Sequence, residues 1–356
     1  MIRSFFQLLT IAWFGATNAG RWSKFNVVWN APTKQCRNWT KLERPENYGI
    51  LTNSGYEFQG DTIVVFYEDQ FGLYPYYRNF SDPSSAVNGG IPQHADLTAH
   101  LKKVHDDIEK AIPSSNFNGL AVIDYEKWRP LWEQNWHAKQ IYQRESLAHA
   151  AGHCSKNDRN CKFAIDEFNS ASLNFLVETI REAKKTRPNA LWGYYGMPFC
   201  NYTAGKNGTI ACGEVYNKFN DRLLLSLYNE STALYPSIYI HSSQEGAANC
   251  RYVISVLQET ERVAKKLHLP IFTYTSFEYF PLKSSDPYYT ERDLHNSLRK
   301  AFQMNVDGAI IWTTSNGMAR RCNDIGDYVH KHLGPEASQI QKLIKNFNKT
   351  EMARLD

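Results

Sequence analysis

The sequence predicts a closed β/α barrel of about seven strands, and three observations point to it. Short apolar runs alternate with longer amphipathic stretches, and strand-then-helix repeats call for a parallel sheet with helices laid against it. No Pro- or Gly-rich linker divides the 356 residues, so the repeats form one domain, and that many in one unit fit a barrel better than an open doubly wound sheet. The first run, Phe25-Asn-Val-Val-Trp-Asn-Ala-Pro, continues without a Gly-rich phosphate-binding turn, which argues against a dinucleotide fold.

In chain order the strand candidates are Phe25–Trp29, Thr62–Tyr67, Gly119–Asp124, Ala190–Tyr195, Leu234–Ile240, Pro270–Thr275 and Gly308–Thr313. Helical stretches separate them. Asp96–Ile112 gathers Leu97, Leu101, Val104, Ile108 and Ile112 on one face, and Phe163–Thr186 does the same with Phe168, Leu173, Leu176, Ile180 and Ala183. Gly246–Leu267, Thr290–Asn305 and Asp327–Asn346 read the same way.

The ends and composition bound the setting. Met1-Ile-Arg3, an apolar run from Phe5 to Phe14 and small residues to Ala19 match a cleavable signal peptide over residues 1–19. The expected mature chain is then a single secreted domain over residues 20–356. The apolar run is too short for a membrane span. Six Asn-X-Ser/Thr sequons, at Asn38, Asn79, Asn201, Asn207, Asn229 and Asn348, fit an exported glycoprotein. Seven cysteines are too few for a disulfide-dense scaffold. Cys200 could pair with Cys212 as a local staple, Cys36 with Cys322 across the ends of the fold, and Cys154 with Cys161 across a polar loop. Cys250 is then left over and reads as a buried thiol. The net charge of +4 is mild and only weakly compatible with a polyanionic ligand. It does not mark a nucleic-acid surface.

A barrel places its chemistry at the C-terminal ends of its strands. Gly119-Leu-Ala-Val-Ile-Asp-Tyr-Glu-Lys-Trp-Arg-Pro130 reads as a buried strand that ends in Asp124, with Glu126 two positions on. Residues i and i+2 of a strand point to one side. Two carboxyl groups that close cannot both ionise cheaply, so one should hold its proton near neutrality. A protonated acid beside an ionised one is what glycosidic cleavage requires. An isolated Asp-X-Glu is as readily a solvated strand end. Here Tyr195, Tyr239 and Trp312 also end strands, so polar-tipped aromatics would line the same mouth.

These residues carry a resemblance. Phe25-Asn-Val-Val-Trp-Asn-Ala-Pro-Thr, Gly49–Leu51, Asn88-Gly-Gly-Ile-Pro-Gln93, Val122-Ile-Asp-Tyr-Glu-Lys-Trp-Arg-Pro130, Gln134-Asn-Trp136, Trp192-Gly-Tyr-Tyr-Gly-Met-Pro-Phe-Cys200, Leu234-Tyr-Pro-Ser-Ile-Tyr239 and Gly308–Trp312 resemble animal hyaluronidases, glycoside hydrolase family 56. The likeness runs from about Phe25 to about Gly334 and is nearest to the insect secreted and venom enzymes. A cysteine-rich tail module like that of the vertebrate enzymes is not expected after residue 356. The resemblance implies a distorted β/α barrel with fewer than eight complete strands and disulfides Cys36–Cys322 and Cys200–Cys212, and it leaves Cys154, Cys161 and Cys250 open.

It also implies endo-hydrolysis of the β-1,4 bond after N-acetylglucosamine in hyaluronan, with retention, and slower action on chondroitin. Glu126 is then the general acid and later the base, and the substrate's own acetamido oxygen is the nucleophile. Asp124 would orient the acetamido N–H and stabilise its developing charge. Tyr239 and Tyr195 would hydrogen-bond the acetamido group, and Trp312 would wall in its methyl. Arg129, Tyr74, Ser237 and Ser315 are candidate substrate contacts. No metal or organic cofactor is implied, and a monomer is expected. The segment from His149 to Cys161 departs most from the venom enzymes and is expected to be a surface excursion. The competing readings are a catalytically silent glycosaminoglycan-binding lectin of the same fold, an enzyme that prefers chondroitin, and a disulfide-linked surface protein with no ligand.

Overall fold

The computed structural model describes residues 20–36, 38–155, 158–244, 246–282 and 287–352, with side chains as far as residue 346. The expected signal peptide and the Asn348 side chain lie outside the described residues. The strands are β1 (Asn26–Asn30), β2 (Ile50–Thr52), β3 (Ile63–Tyr67), β4 (Tyr76–Tyr77), β5 (Ala86–Val87), β6 (Leu120–Asp124), β7 (Leu191–Tyr194), β8 (Phe272–Thr275) and β9 (Gly308–Trp312). The helices are α1 (Leu97–Ala111), α2 (Gln140–His149), α3 (Lys162–Thr186), α4 (Glu214–Leu223), α5 (Gly246–Leu267), α6 (Glu291–Leu294), α7 (Lys300–Gln303), α8 (Met318–Tyr328) and α9 (Gly334–Met352).

Two parallel sheets, β2-β1-β9-β8 and β3-β6-β7, curve toward each other. β4 and β5 form a small antiparallel hairpin outside them. The segment from Leu234 to Ser237 joins the sheets by single bridges, Leu234 to Ile271, Ser237 to Tyr274 and Tyr195 to Tyr235. The expected strand Leu234–Ile240 is therefore a bridged segment and not a ladder. Pro236 sits in its middle and has no N–H to donate, although its carbonyl accepts from Tyr274 N. β2 was not anticipated, being only three residues long. The last helical region starts at Met318, not Asp327.

No backbone ladder joins β2 to β3, and side-chain amides replace it. Buried Asn53 accepts from Thr62 N (2.9 Å) and Ile63 N (3.0 Å) and donates to the Ile63 carbonyl (3.0 Å). Gln59 accepts from Val65 N (2.8 Å) and donates to its carbonyl (2.6 Å). Gly60 makes room, because a Cβ there would lie 2.8 Å from that of Asn53. The barrel is thus closed at its seam by side chains that imitate a strand.

Strand alternation separates two apolar groups. Val28, Val65, Val122, Tyr235, Phe272, Tyr274 and Ile310 fill the barrel interior. Val27, Trp29, Val64, Phe66, Ile123, Trp192 and Ile311 face outward in the larger core that packs under the helices. This parity positions the site. The inward rows of β3, β6 and β9 end at Tyr67, Asp124 and Trp312, one step above the filled interior. The disulfides are Cys36–Cys322, Cys154–Cys161 and Cys200–Cys212, and Cys250 is free and partly buried. The excursion after α2 is surface structure clipped by Cys154–Cys161, and its cavity shares no lining residue with the cleft described below.

Candidate active site

β6 carries the central pair. Tyr125 turns outward, where its hydroxyl donates to the Phe71 carbonyl (2.8 Å). Asp124 and Glu126 turn inward and line one recess of about 130 Å³ together with Val65, Tyr67, Tyr195, Tyr239, Tyr274 and Trp312. That recess adjoins a cleft of about 460 Å³ lined by, among others, Glu126, Arg129, Phe199, Tyr202, Ser237 and Phe280.

The recess holds unsatisfied polar atoms. Asp124 Oδ1 and the Tyr274 hydroxyl are buried and have no hydrogen-bond partner among the described residues. Buried polar groups are normally paired, so these are places where a ligand can donate or accept. The aromatic wall is continuous: Tyr239 lies 6.1 Å from Trp312 and 6.5 Å from Tyr195, ring centre to ring centre. Trp312 Nε1 donates to the Tyr67 hydroxyl (3.2 Å), which fixes the indole. The Tyr195 hydroxyl donates to Ser237 Oγ (3.4 Å). Burial raises the Tyr195 and Tyr239 hydroxyls well above the usual range, so both stay neutral donors.

Burial pushes Asp124 well above the ordinary carboxylate range, and the charges of Glu126 and Glu68 add to this. Glu126 is raised by burial and by Glu68, while Lys139, Arg129 and Lys127 oppose the rise. The sequence reading gave the proton to Glu126 and the charge to Asp124. In the site itself Asp124 is raised the more strongly, because the three cations oppose the rise at Glu126. Both carboxyls are therefore harder to ionise than free ones, and the charge on either makes it harder to ionise the other.

A sequence profile of the hyaluronidase glycoside hydrolases matches residues 17–348. The chain belongs to the hyaluronidase family. It is similar to a chondroitin hydrolase of Caenorhabditis elegans, with 37% identity over 350 residues, 96% of this chain and 74% of that protein. A hyaluronidase of Loxosceles intermedia is 33% identical, across 95% of this chain and 84% of that one. Bee venom hyaluronidase in complex with a hyaluronic acid tetramer has the same fold, with a TM-score of 0.81 and 30% identity, covering 89% of this chain and 100% of that chain.

Within this hyaluronidase-family cleft, the structure brings together Asp124, Glu126, Tyr195, Tyr239, Trp312, Ser237 and Arg129. The Arg129 guanidinium donates to the Tyr202 hydroxyl (2.7 Å) and lies 4.7 Å from the Phe199 ring centre, so it is part of the wall. Tyr74 is corrected. It is fully buried, stacked on Tyr125 (4.2 Å) and Trp128 (5.0 Å), and its hydroxyl accepts from Trp128 N (3.2 Å). It supports the loop beneath the cleft and cannot touch a substrate. Ser315 is exposed just beyond the end of β9, lines neither cavity, and its carbonyl accepts from Met318 N at the start of α8. Tyr67 and Tyr274 were missed. Tyr67 ends a strand with a polar-tipped aromatic, the same signal that singled out Tyr195 and Trp312.

Proposed function

We propose that this protein is a secreted endo-acting glycosidase of glycosaminoglycans, cutting the β-1,4 bond after an N-acetylhexosamine with retention. The observation that carries this reading is the unpartnered, buried Asp124 Oδ1 in a recess shared with Glu126 and a tyrosine–tryptophan wall. An acetamido group supplies what such a recess lacks: an N–H for Asp124, a carbonyl for a tyrosine hydroxyl and a methyl for Trp312.

The N–H donated to Asp124 stabilises its anion, and the charge on Asp124 keeps the proton on Glu126. Glu126 then protonates the glycosidic oxygen as the C–O bond breaks. The acetamido oxygen attacks C1 from the opposite face, and the resulting oxazolinium charge lies against the Asp124 carboxylate. Glu126, now ionised, takes a proton from water, and that water opens the ring at C1. Two inversions give net retention. The lectin alternative loses ground because a binding site has no use for two buried carboxyls that are both hard to ionise.

Chondroitin is the second reading, and the 37% identity to a chondroitin hydrolase favours it. Hyaluronan and chondroitin differ in the configuration at C4 of the hexosamine and share its acetamido group. A recess that reads the acetamido accepts both. Export is supported by residues 1–19, three disulfides and the exposed sequons at Asn38, Asn79, Asn207 and Asn229. Digestion of hyaluronan and chondroitin side by side, with sizing of the products, tests this function. Even-numbered oligosaccharides from either polymer are expected, and no cleavage of both would leave the lectin reading in place.

A further inference from the structure

We propose that Lys139 is a positioning residue for acid–base catalysis: its ammonium ties down the peptide that carries Glu126 and, as a fixed cation, sets the upper pH limit of turnover. The inference rests on the assignment of Glu126 as the acid.

The geometry is a chain reversal. After Glu126 the backbone runs out through Trp128 and Arg129 and is folded back by buried Asn135. That side chain accepts from Arg129 N (2.8 Å) and donates to the carbonyls of Arg129 (2.9 Å) and Leu131 (3.0 Å). The return brings Lys139, just before α2, under the end of β6. Its Nζ donates to the main-chain carbonyl of Glu126 and to that of Lys127 (3.1 Å), and it lies 5.6 Å from the Phe80 ring centre. Between the fold-back and the lysine, His137 takes a left-handed backbone with φ of 54°. For a residue with a Cβ this conformation is costly and is kept where the surroundings impose it.

A tether to two carbonyls needs only a donor. A lysine costs more than a neutral donor here, because the site already holds Arg129 and Lys127. Burial, Arg129 and Lys127 push the ammonium down to about 8, against the pull of Glu126 and Glu68. The group is therefore a cation throughout the acidic and neutral range and begins to lose its charge only above it. Among the described residues, the titratable groups around Glu126 include Asp124 on β6, Tyr67 and Glu68 at the end of β3, Tyr195 after β7, Tyr239 across the recess, Lys127 and Arg129 in its own loop, and Lys139 from the return segment. Glu68 is itself held by Lys127 (3.3 Å). Lys139 is first among the charges that lower Glu126.

The test compares Lys139→Met, Lys139→Gln and Lys139→Arg by the pH profile of kcat/KM on hyaluronan and chondroitin, with Glu126→Gln as the control. Loss of the cation should move the alkaline limb up by about one pH unit in K139M and K139Q. Loss of the tether should lower kcat by about tenfold in K139M, less in K139Q, which keeps a donor. K139R should return the limb to its wild-type position. An unmoved limb in K139Q, or a limb displaced in K139R as far as in K139M, overturns the proposal even if rates fall, because a structural defect slows turnover without moving a titration. If K139M does not fold, the other two variants decide. A Glu126→Gln enzyme with wild-type turnover would instead overturn the assignment on which the inference rests.

Discussion

Asp124→Asn separates charge from shape at the centre of the site. Asn keeps the volume and an acceptor oxygen but cannot become an anion beside the oxazolinium of the proposed mechanism. Asp124 lies in a recess where burial raises it well above the usual carboxylate range, so its charge acts through little water. A preorganised group of this kind contributes roughly 10²–10³ in kcat, or about 2.7–4 kcal/mol. Two further consequences follow from the electrostatics. Removing one carboxyl leaves Glu126 with burial and Glu68 against three cations, so it ionises more easily and the alkaline limb of kcat/KM moves to lower pH.

Stability changes as well. A carboxyl raised in the folded state contributes most below its unfolded value of about 4, and that contribution is lost as pH rises through the folded value. Wild-type protein should therefore lose melting temperature on going from about pH 4 to neutrality, and Asp124→Asn should lose less. Initial rates on hyaluronan across pH, with calorimetric melts on the same samples, measure all three effects. A kcat within threefold of wild type, with an unshifted limb, would refute the role given to Asp124.

Glu126→Gln should fold normally and lose about 10²–10⁴ in kcat, since it removes the proposed proton donor; wild-type melting with residual turnover in that range is the expected pair of readings. Replacing Cys36 and Cys322 with Ser removes a link that spans 286 residues of sequence and should lower stability by about 2–5 kcal/mol; calorimetry checks this. Asn53→Ala opens the seam between β2 and β3 and strands the Thr62 and Ile63 N–H groups that the amide now serves, at a cost of about 2–4 kcal/mol by denaturant titration. Trp312→Ala should raise KM more than Trp312→Phe, because the first removes the wall facing the acetamido methyl and the second keeps most of it.

Much of the barrel was legible because a period of two and a period of 3.6 are imposed by backbone geometry. The inward parity of β6 and β9 leads from Val122 and Ile310 to Asp124 and Trp312 without reference to anything else. What the pattern could not show is what side chains do across the chain. β2 is three residues long, and its seam with β3 depends on Asn53 and Gln59 acting as backbone. Leu234–Ile240 looked like a strand because its residues are apolar and aromatic, and Pro236 turned it into isolated bridges. Tyr74 was a candidate cleft residue only through the resemblance, and stacking on Tyr125 and Trp128 buries it. Lys139 could not be found by spacing, since it reaches Glu126 only through the fold-back at Asn135.

The most direct test is the anomer released at the first moments of digestion, followed by proton NMR before mutarotation. If the acetamido oxygen attacks first and water second, the new reducing-end N-acetylhexosamine appears as the β-anomer. Initial release of the α-anomer would mean a single displacement by water; the acetamido would not be the nucleophile, the role assigned to Asp124 would be wrong, and Glu126 would be left as an acid only.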